Sequence, residues 1–396
     1  MAGKNSSPDR LNRREFIKVG AAGFCTFCLV GVYGCDAEQN DQKTVSPKEP
    51  SAKTSKKGLI KTRRSPWYTE LNNDKVRCDL CPKLCELDEG ERALCRVREN
   101  RDGALYSLVY GNPALVQEDP VERKPFFHVL PGSRALSIST AGCNLACKFC
   151  EVWDMALVDP EEVHAYDMSP ETVMNHVQAG DARSVSYAFG EPVIYYEYTS
   201  KVAELAKDAG YLNLMHTAAY IQPEPLKEII KKMDAINVDL KGFDPQFYRE
   251  YVDGELNVVL DNLKIIRDAG VHLEITNIVI PTLNDEPEKI GEMCDWIAEE
   301  LGTDIPIHFA RFYPLHELSA LPRTPASKLD EARDIALEAG LKYAYVARVT
   351  GHDGENTFCP DCGEKVIDRE GFVITELKLN KGACGFCGTE LPGLWV

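Results

Sequence analysis

Between Arg134 and Val346, short runs of β-branched and apolar residues alternate with longer stretches whose apolar positions recur at helical spacing. That alternation predicts βα units and a parallel sheet, because parallel strands need a covering crossover between neighbours. The predicted strands are Ala135–Ser139, Ser184–Ala188, Asn213–His216, Ala235–Leu240, His272–Val279 and Ile305–Phe309. Among the helices, Pro170–Ala179 has the clearest start, with Ser169 as cap and proline at the first helical position. Six such units make an α/β fold, a partial (β/α)6 TIM-like barrel that stays open.

Ligand groups of a parallel βα barrel sit at the C-terminal ends of its strands. Here those ends are marked in turn by a cysteine loop, Gly190-Glu191-Pro192, His216-Thr217, Asp239-Leu240-Lys241, Asn277, and His308 with Arg311. In the loop, Cys143, Cys147 and Cys150 stand at C-x3-C-x2-C spacing, close enough for three thiolates to reach one metal centre. A closed zinc site needs a fourth ligand and an unusual spacing would have to supply it. Iron–sulfur cubanes normally take four thiolates, so three leave one iron with an open position for substrate or cofactor. Cys294, inside a helical run, reads as a buried small apolar residue.

Composition adds two flanking modules and a leader. The chain has 396 residues, enough for one large α/β domain and smaller pieces. Its net charge of −17 argues against a nucleic-acid groove, which needs clustered Lys and Arg. Most of the 15 cysteines fall in closely spaced groups, which read as metal ligands rather than disulfides. Cys78, Cys81, Cys85 and Cys95 form one group within residues 66–132; zinc is the first expectation there and an additional iron–sulfur cluster the second. Cys359, Cys362, Cys384 and Cys387 form two C-x2-C-G knuckles within 351–396, separated by a hairpin-like stretch from Lys365 to Leu379. That pattern predicts a zinc ribbon or a rubredoxin-like iron site. Residues 1–35 carry Arg13-Arg14 before an uncharged run too short for the ~20 residues of a spanning helix, then Cys35. They predict a twin-arginine export signal with a lipoprotein-like cysteine. Residues 36–65, poor in large apolar residues, predict a disordered tether. Together they favour a membrane-tethered exported protein, with a cytoplasmic one as the alternative.

The Cys143 loop, with Phe149 before its last cysteine, resembles the signature of the radical S-adenosylmethionine (radical SAM) superfamily. Longer strings, such as Asp119-Pro-Val-Glu-Arg-Lys-Pro-Phe-Phe-His128 and Gly351-His-Asp-Gly-Glu-Asn-Thr357, resemble the radical SAM enzymes of the AmmeMemoRadiSam system, relatives of pyruvate formate-lyase activating enzymes. The resemblance covers about Trp67 to Trp395, with residues 133–350 as its radical SAM core. It implies that Cys143, Cys147 and Cys150 hold a [4Fe–4S] cluster whose open iron chelates SAM. An electron from a flavodoxin- or ferredoxin-type donor then yields a 5′-deoxyadenosyl radical that abstracts hydrogen from a protein or small-molecule substrate. It also implies that Gly190, Glu191 and Pro192 bind the SAM ammonium group and that Asp239 and Lys241 line its carboxylate and substrate side. By position, His308 is a candidate for the SAM ribose. A non-catalytic SAM- or redox-sensing protein is the alternative reading.

Overall fold

The computed structural model describes residues Ser55–Trp395, which lie within one compact unit, Pro50–Val396. The expected export signal, Arg13, Arg14, Cys35 and most of the expected tether lie outside the described residues. Among those described, no helix is long and apolar enough to cross a membrane.

At the centre is an eight-stranded sheet whose strands lie side by side in chain order. They are β1 (Leu115–Pro120), β2 (Arg134–Ser139), β3 (Ala182–Tyr187), β4 (Leu212–Thr217), β5 (Ala235–Asp239), β6 (His272–Val279), β7 (Ile307–Arg311) and β8 (Ala344–Ala347). β1 runs antiparallel to β2, and every later pairing is parallel. Six helices of eight or more residues accompany the strands: α1 (Pro170–Ala179), α2 (Tyr196–Asp208), α3 (Pro223–Ile230), α4 (Leu256–Asp268), α5 (Pro287–Glu300) and α6 (Ala326–Glu338). The Ser169 hydroxyl accepts the Thr172 amide, as a capping serine should. The sheet does not close, since β1 and β8 form its two edges.

All six predicted strands are present, but the parallel set numbers seven, and β1 adds an antiparallel edge. β8 is only four residues long and fully buried, too short for a period to show. β1, Leu-Val-Gln-Glu-Asp-Pro, carries no alternating apolar pattern and is held by backbone pairing from Leu115↔Ser139 to Pro120↔Arg134. The expected boundary at 132/133 therefore falls too late, because β1 already belongs to the core sheet. The expected tether also ends too late: Lys56–Lys57 pairs with His164–Ala165, and Arg63–Arg64 with Tyr106 and Ser107.

The Cys78 segment folds as two small three-stranded sheets, yet Val76, Leu80, Leu87 and Val97 share one continuous core with the barrel residues Leu136, Tyr187 and Ile236. It is a wall of the same body rather than a free module. At the C-terminus, Lys365–Glu370 and Val373–Leu377 pair as the expected hairpin. That region reaches the barrel through Phe127 and Tyr345, which pack with Cys359, Val366, Ile367 and Cys384.

Glu274, on β6 and fully buried, organises this junction. Its carboxylate accepts the Phe127 amide at 3.0 Å, the His128 amide at 2.9 Å, His272 Nε2 at 3.1 Å and His308 Nε2 at 2.6 Å. An ionised carboxylate only accepts, so both imidazoles donate through Nε2. Burial opposes the charge, but the two histidines outweigh it and hold the carboxyl well below its ordinary range. Burial pushes His128 down to about 3, which keeps the ring neutral. Its Nδ1–H donates to the Pro392 carbonyl at 2.6 Å and its Nε2 accepts the Tyr345 hydroxyl at 2.7 Å.

Candidate active site

β2 delivers the chain to Cys143 through a tight bend at Gly142. Gly142 has φ +95°, and a Cβ there would lie 2.7 Å from both the Cys95 carbonyl oxygen and Val97 Cγ1, so only glycine fits. The loop is then held by backbone. Ala146 N–H donates to the Val252 carbonyl at 3.1 Å, Lys148 N–H to Tyr251 at 2.9 Å, and Gly142 N–H to Met155 at 3.2 Å. Val252 and Tyr251 belong to a π-helical turn, Tyr248–Val252, a local widening frequent at functional sites. Nothing in the apolar pattern of this stretch marks such a turn.

Cys147 is buried and Cys143 and Cys150 are half-buried. Burial pushes the Cys147 thiol up to about 12, against the pull of the Lys241 ammonium. Burial also raises Cys143, with the Glu191 carboxylate adding to it. Countering this, the Leu145 amide donates to Cys143 Sγ at 3.4 Å. Cys143 lies near both other thiols, and Cys147 and Cys150 both lie near the Lys241 ammonium. Among the described residues, the one group of three or more ligand atoms all within 4.8 Å of each other is at the C-terminus, so the three loop sulfurs are spread wider than that. A single tetrahedral zinc at ~2.3 Å from sulfur needs sulfurs roughly 3.8 Å apart. Three thiols on one loop at wider spacing fit a multi-iron, sulfide-bridged group instead, and binding it must displace their protons.

Asp239 and Lys241, at the end of β5, face this loop. Lys241 Nζ lies 3.0 Å from Asp239 Oδ2, and His216 Nε2, from β4, lies 2.9 Å from Asp239 Oδ1. Burial opposes both charges, but the pair outweighs it: Asp239 is held well below its ordinary range by Lys241 and His216, and Lys241 well above its own. The ammonium also sits 5.8 Å from the centre of the Phe149 ring, joining the pair to the cysteine loop. His216 was visible as a strand-end residue without a role; its bond to Asp239, 23 positions on, depends on two strands being neighbours.

Gly190 and Glu191 are brought to the same end of the sheet, but not as expected. Gly190 N–H donates to Ser139 Oγ at 3.0 Å, and a Cβ on Gly190 would collide with that hydroxyl. The Glu191 carboxylate is buried and spent internally. It accepts the Thr217 hydroxyl at 2.6 Å, the Ala218 amide at 2.8 Å and the Val193 amide at 3.1 Å. It therefore braces the end of β4 against the turn after β3. Pro192 is buried behind it.

His308 is corrected more plainly. It is fully buried, bonded to Glu274, and packed against Phe127 and Tyr345 at ring-centre distances of 4.7 and 5.2 Å. No face of it is open to a ribose. Asn277 donates to the Leu240 carbonyl at 2.7 Å, bracing the loop that carries Lys241. Cys294 is fully buried on α5, as expected.

The two outer cysteine groups differ from each other. Cys359 and Cys387 place their sulfurs 3.6 Å apart and Cys362 and Cys384 theirs 3.8 Å apart. All four sulfurs lie within 4.8 Å, the spacing of one tetrahedral ion. Cys78, Cys81, Cys85 and Cys95 do not gather so tightly, and instead line a small recess with Arg98 and Asn144.

A sequence model described as the Radical SAM superfamily matches residues 137–295. The chain is 37% identical over 331 residues to the uncharacterized protein MJ0808 of Methanocaldococcus jannaschii, covering 83% of this chain and 98% of that one. It is 23% identical over 218 residues to the pyruvate formate-lyase-activating enzyme of Clostridium pasteurianum, covering 51% and 90%. Among solved structures, a radical SAM methyltransferase from Sphaerobacter thermophilus aligns with TM-score 0.45 and 11% identity over 75% of this chain and 81% of that one.

Proposed function

The chain belongs to the radical SAM superfamily, and from that premise we propose that it is an activating-enzyme-like oxidoreductase in which Cys143, Cys147 and Cys150 hold a [4Fe–4S] cluster that binds SAM. When bound, that cluster supplies the electron that splits SAM into methionine and a 5′-deoxyadenosyl radical. The observation that carries the reading is three thiols on one loop beside the Asp239–Lys241–His216 set, at the C-terminal ends of the strands.

The chain's own residues then have separable work. Lys241, fixed as a cation by Asp239, presents positive charge toward the thiolates and toward an anionic group of a bound ligand. His216 holds Asp239 from the other side, so the carboxylate cannot swing away. Gly190 and the backbone beyond it offer close approach without a side chain in the way. The π-turn keeps the cysteine loop seated while its sulfurs give up their protons.

For the substrate we propose hydrogen abstraction from a protein backbone, a reading supported by the similarity to activating enzymes, with a small-molecule substrate as the alternative. With a deuterium-labelled partner protein, deuterium is expected in 5′-deoxyadenosine by mass spectrometry. Transfer solely from a small-molecule fraction of cell extract ends the protein-substrate version.

For the C-terminal four-cysteine site we propose structural zinc. Purified protein with Cys362→Ser/Cys387→Ser is expected to lose about one zinc per chain and roughly 2 kcal/mol of stability by urea unfolding. The loss reaches the barrel because Leu394 N–H donates to the His128 carbonyl at 2.7 Å and Leu130 N–H to the Leu394 carbonyl at 2.7 Å. A red, iron-containing wild-type site would replace zinc with rubredoxin-like iron.

A further inference from the structure

Four features of the recess formed by Cys78, Cys81, Cys85 and Cys95 are unexplained by a structural zinc. First, no three of the four sulfurs lie within 4.8 Å of one another, too far apart for one tetrahedral ion. Second, two buried polar atoms beside the recess have no partner: Asn144 Oδ1 and Arg98 Nε. Their side chains are 4% and 1% exposed, and a buried polar atom left without a partner is disfavoured. Third, Arg98 puts a buried cation beside the thiols. Its charge is matched by Glu197, at 2.9 Å from both Nη atoms, and it lines the recess together with the four cysteines. Fourth, the recess touches the Cys143 loop on both sides of Cys143: Gly142 lies against the Cys95 carbonyl and Asn144 lines the recess.

We infer that Cys78, Cys81, Cys85 and Cys95 hold a second iron–sulfur cluster, which passes single electrons from a low-potential ferredoxin- or flavodoxin-type donor to the centre at the Cys143 loop. Four thiolates set wider than one ion allows are the ligand set of a sulfide-bridged cluster. Arg98 offsets its negative charge in a buried place, a usual means of tuning such a centre. Cys81 and Cys85 are only half-buried, so one edge reaches the surface where a donor can approach, and the other edge abuts Cys143. The bookkeeping is one electron in and one electron out. The donor is oxidised by one electron, the centre at the Cys143 loop is reduced by one, and no bond or proton changes at the four thiolates. The relay rests on the SAM reading of the Cys143 loop; the metal site does not.

Acid-labile sulfide tests the site, since neither zinc nor a rubredoxin-like iron contains any. Full-length protein with Cys143, Cys147 and Cys150 replaced by alanine, reconstituted anaerobically with iron and sulfide, is expected to retain sulfide and visible absorbance. Adding Cys81→Ser/Cys85→Ser is expected to remove both. Zinc without sulfide in the first protein, or sulfide indifferent to the added pair, overturns the site. For the relay, Cys81→Ser/Cys85→Ser alone is expected to cut ferredoxin-driven SAM cleavage at least tenfold while dithionite-driven cleavage stays within twofold, which also shows that the variant is folded. Equal loss with both reductants, or loss with neither, overturns the relay. A wild-type chain that retains the sulfide but never cleaves SAM would refute the SAM reading and leave the second cluster standing.

Discussion

Replacing Cys143, Cys147 and Cys150 together by alanine is expected to abolish conversion of SAM to 5′-deoxyadenosine and methionine under reducing conditions. The loss should be total, on the order of 10⁶-fold or more, because the proposed chemistry has no route without the group those thiols hold. Stability should change far less, by roughly 1 kcal/mol for each residue. The loop is seated chiefly by the backbone bonds of Ala146 and Lys148 to the π-turn and by Gly142 against Cys95, and none of these uses a sulfur. The contrast is the informative part: cleavage assayed by chromatography falls to background while the urea midpoint moves little. Undiminished cleavage would sink the proposed function, and a collapsed urea midpoint would show that the loop's seat was misjudged.

Glu274→Ala is expected to do the opposite, unfolding the chain without touching the reacting groups. Its carboxylate is fully buried and receives two backbone amides and two imidazoles. Removing it strands all four donors in a dry place, a loss of about 3–5 kcal/mol by urea unfolding. The same residue sets an acid limit. Its folded-state carboxyl is held well below the ordinary value, so the stability it contributes is present above the unfolded carboxyl pKa of about 4.3 and is lost as pH falls through the depressed folded value. Wild-type protein should therefore lose stability steeply below about pH 4, and Glu274→Gln should show a shallower acid limb. A Glu274→Ala variant within 1 kcal/mol of wild type would mean that the junction between Phe127, His128 and β6 is held by packing alone.

What could be read along the chain was whatever depends on near neighbours. The six predicted strands and the Ser169 cap follow from local period and capping chemistry. The cysteine groups follow from spacing, because ligands a few residues apart on one loop reach a common centre in almost any fold. The order of strands followed too, since consecutive βα units pack side by side.

What could not be read depends on which distant backbone meets which side chain. β1 has no apolar period because its partner β2, not its own side chains, holds it. Glu191 and His308 looked like ligands because polar residues at strand ends usually are; each instead satisfies donors or acceptors more than twenty residues away. The fusion of the Cys78 group with the Cys143 loop hangs on Gly142 meeting Cys95 and Asn144 entering the recess, contacts across about fifty residues that no spacing encodes. Candidate ligands are written in short motifs because metal ligation is short-ranged and local. Ligand environment, which decides whether a carboxylate meets a cofactor or braces a strand, is settled only when the sheet brings remote polar groups together and burial forces each to find a partner.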